Sequence, residues 1–415
     1  MAYLNTPTDE VSREEIFANE GNYHHWNYES VEPVSTGYEE DLPEIHKYTK
    51  EMYDSLGDGT GRKTPAQQEM IEKVRAIYRR KNILPINYYS QLGVQQEIRR
   101  CIDYEAKFDG DTVNTGAGVG TGMCNFFFPN LFDTASIQDE DKKKEGADTL
   151  YGKFMNDKYL DRAIQFCFGY KDGDAVPSYV MGGLRLVGSA PSNFRPMNAQ
   201  AIFERFCPEN GVIFDTSSGF SGRLVGALTS KKNFTYVGTD PNMESMYNTH
   251  RIAEAIERVT GRTGSYELHC CGSELDDLME KESWADFHFS SPPYFELENY
   301  GENDANRANQ SHVKFSGLES WLEGYVRGTC RNIYKALKGG AFSAVNIADF
   351  NMKGRGMVSF VDEWKRIAEE EGLEYFTNIY LGVTARAGSL EQEMGVAKKE
   401  IIMVFKSTKP LWGKI

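Results

Sequence analysis

Seven cysteines are scattered along the chain and none stands in a C-x-x-C pair. Their odd number and irregular spacing argue against both a zinc site and a disulfide framework. Long apolar runs are also missing: no stretch reaches the roughly 18 residues of a membrane-spanning helix. The first residues, MAYLNTPTDE, have neither a basic lead nor an apolar stretch, which argues against a secretory leader and predicts a cytoplasmic protein without membrane or metal partners. Positive charge is in short supply as well. Lys and Arg number 46 against 61 Asp and Glu, a net charge of −15, and phosphate contacts need cations. The shortage is uneven. Residues 1–60 hold 14 acids against 3 bases, whereas residues 61–100 hold 9 bases against 3 acids. A local basic surface is therefore compatible with the acidic total.

Three regions follow from the pattern. Residues 1–60 are acidic and Tyr-rich with little apolar periodicity, and read as an irregular or partly disordered arm, open to an oligomeric or protein partner. Residues 61–175 read as a mainly helical accessory or target-recognition region. Met70, Val74 and Ile77 recur at helical spacing from Thr64 to about Arg80, Pro85 breaks the run, and a second helix is predicted over about 89–104. Arg79, Arg80 and Lys81 at the end of the first helix are the candidate nucleic-acid contacts, or else a solvated helix end. The glycine run Gly116 to Gly122 has no β-branched strand before it and no Lys-Ser/Thr after it, so it reads as a flexible loop and not a phosphate cradle. Residues 138–146, QDEDKKKEG, read as an exposed charged loop.

From residue 176 onward strands and helices alternate. Strands are predicted at Val212–Asp215, Phe234–Gly238, Tyr266–His269, Asp286–Phe289 and Ala341–Ile347, with an antiparallel closing pair at Tyr375–Val383 and Ile401–Phe405. This is the pattern of a doubly wound α/β sheet, which binds ligands at the carboxyl ends of its strands.

Three strand ends carry chemistry. VIFDTSSGFSGR places Asp215 at a strand tip, followed by a Ser/Gly turn in which Ser217, Gly219 and Gly222 let a ligand approach the backbone. YVGTDPN puts Asp240 just beyond the next strand, where a carboxylate suits a ribose diol, although it also suits a helix cap. ADFHFSSPPYF ends a strand in Ser290-Ser291, then fixes the backbone with Pro292-Pro293 and projects Tyr294. Proline carbonyls without strand partners, a hydroxyl and a ring together suit a flat base that carries an amino group.

In this order the motifs resemble the amino-methylating (N4-cytosine/N6-adenine) DNA methyltransferase family, over roughly residues 185–407. Ser291, Pro292, Pro293 and Tyr294 match its Ser/Asp/Asn-Pro-Pro-aromatic catalytic motif. Asp215, Gly219 and Gly222 match its cofactor glycine motif, written here Asp-Thr-Ser-Ser-Gly-Phe-Ser-Gly, and Asp240 matches its ribose-binding acid. SNFRPMNAQAIFERF, with Phe194, sits where the family places a segment covering the cofactor. HCCGSEL offers Ser273 to the adenine edge.

The resemblance implies a Rossmann-like S-adenosylmethionine-dependent methyltransferase fold: a seven-stranded mixed sheet with a terminal antiparallel hairpin, plus the helical N-terminal region. It implies methyl transfer to the exocyclic amino group of a base flipped from duplex DNA. Ser ahead of Pro-Pro favours cytosine N4 over adenine N6. Methylation of RNA, a protein amide or a small molecule by the same core stays open, as does a catalytically silent homologue. Target recognition is expected from residues 61–175 or the 296–316 loop.

Overall fold

The computed structural model describes residues 32–113, 118–136, 140–169, 173–187, 192–276, 278, 281–300, 307–352, 356–383 and 398–411. The acidic arm before residue 32 and the first two residues of the glycine run, 116 and 117, lie outside them.

The N-terminal part is helical as predicted. Helix α1 (Pro65–Lys81) starts at a capping box: the Thr64 hydroxyl accepts from the Gln67 N–H, and the Gln67 side chain accepts from the Thr64 N–H. Met70, Ile71, Val74, Ile77 and Tyr78 form its buried stripe. Helix α2 (Gln91–Asp103) is capped by Ser90. Helices α3 (Asp157–Gly169) and α4 (Pro177–Leu186) pack on each other, and α3 also packs on α1. Residues 32–60 lie against these helices: Val34–Ser35 pairs with Tyr88–Tyr89, and the buried Tyr38 hydroxyl lies 2.5 Å from the Ile83 carbonyl. That part of the arm is folded onto the protein.

The central sheet contains β1 (Val212–Asp215), β2 (Thr235–Thr239), β3 (Tyr266–His269), β4 (Ala285–Ser290), β5 (Leu337–Asn346), β6 (Leu373–Val383) and β7 (Lys398–Ser407). Their spatial order is 3-2-1-4-5-7-6. Strands β1 to β5 are parallel, and β7 runs antiparallel to both β5 and β6. This is the Rossmann-like sheet with a closing antiparallel hairpin that the alternation predicts. Two short strands, Phe108–Asp109 and Thr112–Val113, pair onto the outer edge of β6 and bring the sheet to nine strands. The sequence reading gave this N-terminal region no strands. They cover an edge that β6 would otherwise leave unpaired.

Helices α5 (Pro196–Phe206), α6 (Gly222–Leu228) and α7 (Met243–Thr260) follow the chain into and out of β1 and β2. Helices α8 (Arg327–Ala336) and α9 (Phe360–Glu370) belong to the other half of the sheet. One hydrophobic core runs from Tyr38 and α1 through α5 to Ile213, Phe287 and Phe289, so the N-terminal helices and the sheet are packed without a break. A second core on the opposite side gathers Trp321, Tyr325, Ile333, Phe350, Phe360 and Trp364.

A candidate active site at the switch point of the sheet

The chain winds from β1 towards β3 in one direction and from β4 towards β5 in the other. The crevice between the carboxyl ends of β1 and β4 is therefore the switch point, where doubly wound sheets hold ligands. Both principal motifs leave the sheet there. A cavity of about 500 Å³ lies between them. Its wall includes Ser217–Gly219, Asp240 and Ser273 as well as Ser291, Pro292, Pro293 and Tyr294.

The turn after β1 is held from below. Asp215 is fully buried and its carboxylate accepts from Arg223 Nε at 2.7 Å, from the Tyr236 hydroxyl at 2.7 Å and from the Ser217 N–H at 3.1 Å. Arg223 is 5% exposed and also donates to the Ser217 carbonyl. Burial alone would lower the Arg223 pKa, but contact with Asp215 raises it, so the guanidinium stays charged. This corrects the role predicted for Asp215: it faces Arg223 and does not line the cavity. It positions the turn and is not in place to touch a ligand.

The two glycines divide the work differently from the prediction. Gly219 has φ +55°, in the left-handed region, and its N–H donates to Asp240 Oδ2 at 2.9 Å. Gly222 borders the cavity, but its missing side chain serves packing: a Cβ there would overlap the Phe194 carbonyl oxygen. Gly226, one turn on, meets the Pro196 carbonyl in the same way, so α6 sits directly on the segment that leads into α5. That contact carries Phe194 to the cavity wall, edge-on to Phe289 with 5.3 Å between ring centroids.

Asp240 follows β2. Each of its oxygens accepts one backbone N–H at 2.9 Å, Oδ2 from Gly219 and Oδ1 from Asn242, and burial pushes its pKa up to about 6. Asn242, not Asp240, caps α7, by accepting from the Ser245 N–H at 2.9 Å. Ser273 contributes a hydroxyl 2.8 Å from that of Thr329, and Tyr325 bonds to both Ser217 and Ser273. Tyr325 stands in one π-helical turn, Leu322–Val326, between the short helix Leu318–Trp321 and α8. Such turns often occur at functional sites.

Beyond β4, Ser291 donates to the Asn346 carbonyl at 3.3 Å, and the peptide bonds on either side of the prolines are trans. Phe295 takes φ +46°, a costly conformation for a bulky residue, and in doing so buries its ring against Trp321 at 5.5 Å. Tyr294, just before it, keeps part of its ring on the cavity. The rest packs edge-on to Phe350 and Phe360 at 6.2 and 6.0 Å. Burial above all raises the pKa of its hydroxyl, which bonds to the Ala348 backbone. Beneath the site His288 joins three strand ends, 3.1 Å from Thr216 Oγ1 and 2.8 Å from Ser343 Oγ. Burial pushes its pKa down to about 3, so it is a neutral strut.

Arg79, Arg80 and Lys81 are elsewhere, and each has a partner in the chain. Arg79 donates to Asp157 at 2.9 Å and to the Phe154 carbonyl, Arg80 pairs bidentately with Glu44, and Lys81 reaches Asp41 at 3.2 Å. They clamp residues 41–44 and the start of α3 to α1. Local charge counting does not reveal this internal role. Among the described residues the glycine run contributes nothing to the cavity: Gly120 packs on Cys101 and Pro196 and donates to Glu97 at 2.8 Å.

The far wall, formed by Glu298, Tyr300, Asn309, Gln310, Ser311 and His312, falls within the 296–316 loop expected to serve target recognition, but the sequence singles out none of these residues, nor Arg195 or Glu400.

No family model matches the chain, and no curated protein does. Its sheet is similar to those of several solved structures. A TehB-like SAM-dependent methyltransferase from Corynebacterium glutamicum is 18% identical, with 54% of this chain and 93% of that one covered and a TM-score of 0.30. A geranyl diphosphate methyltransferase solved with GPP and sinefungin is 10% identical, with 55% and 81% covered and a TM-score of 0.35. The [4+2]-cyclase SpnF is 12% identical, with 52% and 82% covered and a TM-score of 0.34. Likenesses this distant carry nothing about this chain's substrate or chemistry.

Proposed function

We propose that this chain is an S-adenosylmethionine-dependent methyltransferase acting on the exocyclic amino group of a nitrogen heterocycle, with a flipped DNA base as the favoured substrate and cytosine N4 ahead of adenine N6. One observation carries the reading. A single cavity at the switch point joins the Gly219–Asp240 corner to the Ser291–Tyr294 turn.

The residues present fit the cofactor. Asp240 uses one acceptor position on each oxygen for the backbone, which leaves one on each for the two hydroxyls of a ribose. Ser217, Gly219 and Gly222 border the same end of the cavity, Ser273 offers a hydroxyl, and Phe194 supplies an apolar face. When bound there, S-adenosylmethionine supplies an electrophilic methyl group on sulfonium sulfur.

The chain's part is positioning. An amino group conjugated to a ring is a poor nucleophile because its lone pair is delocalised. Acceptance of its two N–H bonds by Ser291 Oγ and the Pro292 carbonyl favours a pyramidal nitrogen with the lone pair available. Tyr294 holds the ring plane by stacking, so that nitrogen and methyl carbon are aligned.

The internal pairing of Arg79, Arg80 and Lys81 favours a second reading, in which the substrate is a protein amide or a small molecule that needs no phosphate-binding face on α1. Labelled methyl transfer decides between them. On the DNA reading, label enters duplex DNA, and excess duplex suppresses labelling of any other acceptor. Label confined to a non-DNA acceptor and indifferent to duplex overturns it.

A further inference from the structure

The far wall of the cavity is built more rigidly than a surface loop. Glu298–Asn299 pairs antiparallel with Ala135–Ser136, so the N-terminal region grips it from one side. From the other side Gln310 Oε1 accepts the Tyr300 N–H at 3.2 Å, and Gln310 Nε2 donates to Asn299 Oδ1 at 3.2 Å. Ser311 in turn accepts from Trp321 Nε1 at 3.0 Å. The Tyr300 hydroxyl donates to Glu298 Oε2, and among the described residues Oε1 has no hydrogen-bond partner.

Among the described residues the titratable groups placed beside Glu298 are Tyr300 on its own strand and Tyr294 on the turn after β4, and neither is a cation. Burial is the largest influence on Glu298 and raises its pKa. Burial therefore moves Glu298 towards its neutral form. With Oε2 already accepting from Tyr300, the proton of that form belongs on Oε1.

We propose that Glu298 is the specificity-determining residue of the site, its neutral carboxyl donating from Oε1 to the ring nitrogen beside the amino group of the substrate. This rests on the methyltransferase reading above. Cytosine and adenine both present an acceptor nitrogen next to the amino group, and a ring without one would leave the buried donor unpaired.

The test is binding of 2′-deoxycytidine and its 3-deaza analogue, in which that nitrogen is a C–H, to sinefungin-loaded protein by calorimetry. Wild type should prefer deoxycytidine by about tenfold, the usual scale for one such hydrogen bond. E298Q, whose amide can still donate, should keep most of the preference, and E298A should lose it. Unchanged sinefungin affinity in both variants shows that the fold and cofactor end are intact. Equal binding of the two nucleosides by wild type, no binding of either, or a preference that survives in E298A overturns the assignment. Each of these outcomes leaves the cofactor reading standing, whereas wild type that fails to bind sinefungin removes that reading itself.

Discussion

Replacing Asp240 with Asn should separate what this residue does for the ligand from what it costs the fold. The structure holds the carboxyl in a buried corner and raises its pKa from an ordinary 3.8 to about 6. At about 1.4 kcal/mol per pH unit, that places the ionised form roughly 3 kcal/mol above its cost in water. The direction follows from linkage. The folded-state pKa lies above the unfolded value, so the protein loses stability as pH rises from about 4 to about 6, and the loss is complete above that window. Asn removes the charge, but its amide has one oxygen for two backbone donors, so one of the bonds from Gly219 and Asn242 is forfeited, at about 1 kcal/mol.

Unfolding by denaturant should then show the variant gaining on wild type between pH 4.5 and 7.5, ending about 1–2 kcal/mol the more stable. Sinefungin affinity should move the other way. It should fall by roughly 1.5–3 kcal/mol at pH 7.5, the scale of a lost charge-assisted hydrogen bond. In wild type the affinity should decline below pH 6 as the carboxylate is protonated, and the variant should lack that inflection. A stability difference that does not change with pH, together with unaltered affinity, would refute both the burial argument and the place of Asp240 in the site.

Arg223→Met should destabilise the protein by about 3–5 kcal/mol in chemical denaturation, because it leaves Asp215 buried without its counter-ion. The double variant with Asp215→Asn should recover much of that loss. Tyr294→Phe should lose only the bond to Ala348, about 1 kcal/mol, and keep methyl transfer. Tyr294→Ala should lower both melting temperature and turnover, the latter at least tenfold, because the ring faces Phe350 and Phe360 as well as the cavity. Gly226→Ala should cost about 1–3 kcal/mol in thermal unfolding, since the new methyl group meets the Pro196 carbonyl. Arg80→Glu should loosen residues 41–44, seen as faster amide hydrogen exchange there, with Glu44→Arg restoring the protection, and should leave the salt dependence of any DNA binding unchanged.

What could be read from the sequence was whatever is decided locally. Thr64 and Gln67 mark the start of α1 because both halves of a capping box lie within three residues. The apolar segments 212–215 and 266–269 are strands at the predicted residues because their ends are set by adjacent turns. The arrangement of Gly219, Asp240 and Ser291–Tyr294 around one cavity follows from strand alternation alone. What escaped depends on distant partners. Arg80 resembles a free cation until Glu44 is seen beside it, and Asp215 resembles a ligand group until Arg223 and Tyr236 enclose it. The helical stretch from Leu318 to Ala336 is interrupted by a π-turn that no residue-level propensity signals, and Glu298 matters only because Ala135–Ser136 and Gln310 hold it in place.

The placement of β7 has a consequence for how the molecule is made. In the chain it follows β6, yet in the sheet it lies between β5 and β6. Until it docks, two long strands present bare backbone towards each other across a gap one strand wide, and one of them exposes Phe342, Ala344 and Val345. A nascent chain therefore passes through a stage in which both borders of that gap can recruit a strand from another molecule. Completing the sheet is an insertion and not an extension. Damage to residues 398–407 should thus show first as aggregation during synthesis, before any loss of the already formed site-bearing half is felt.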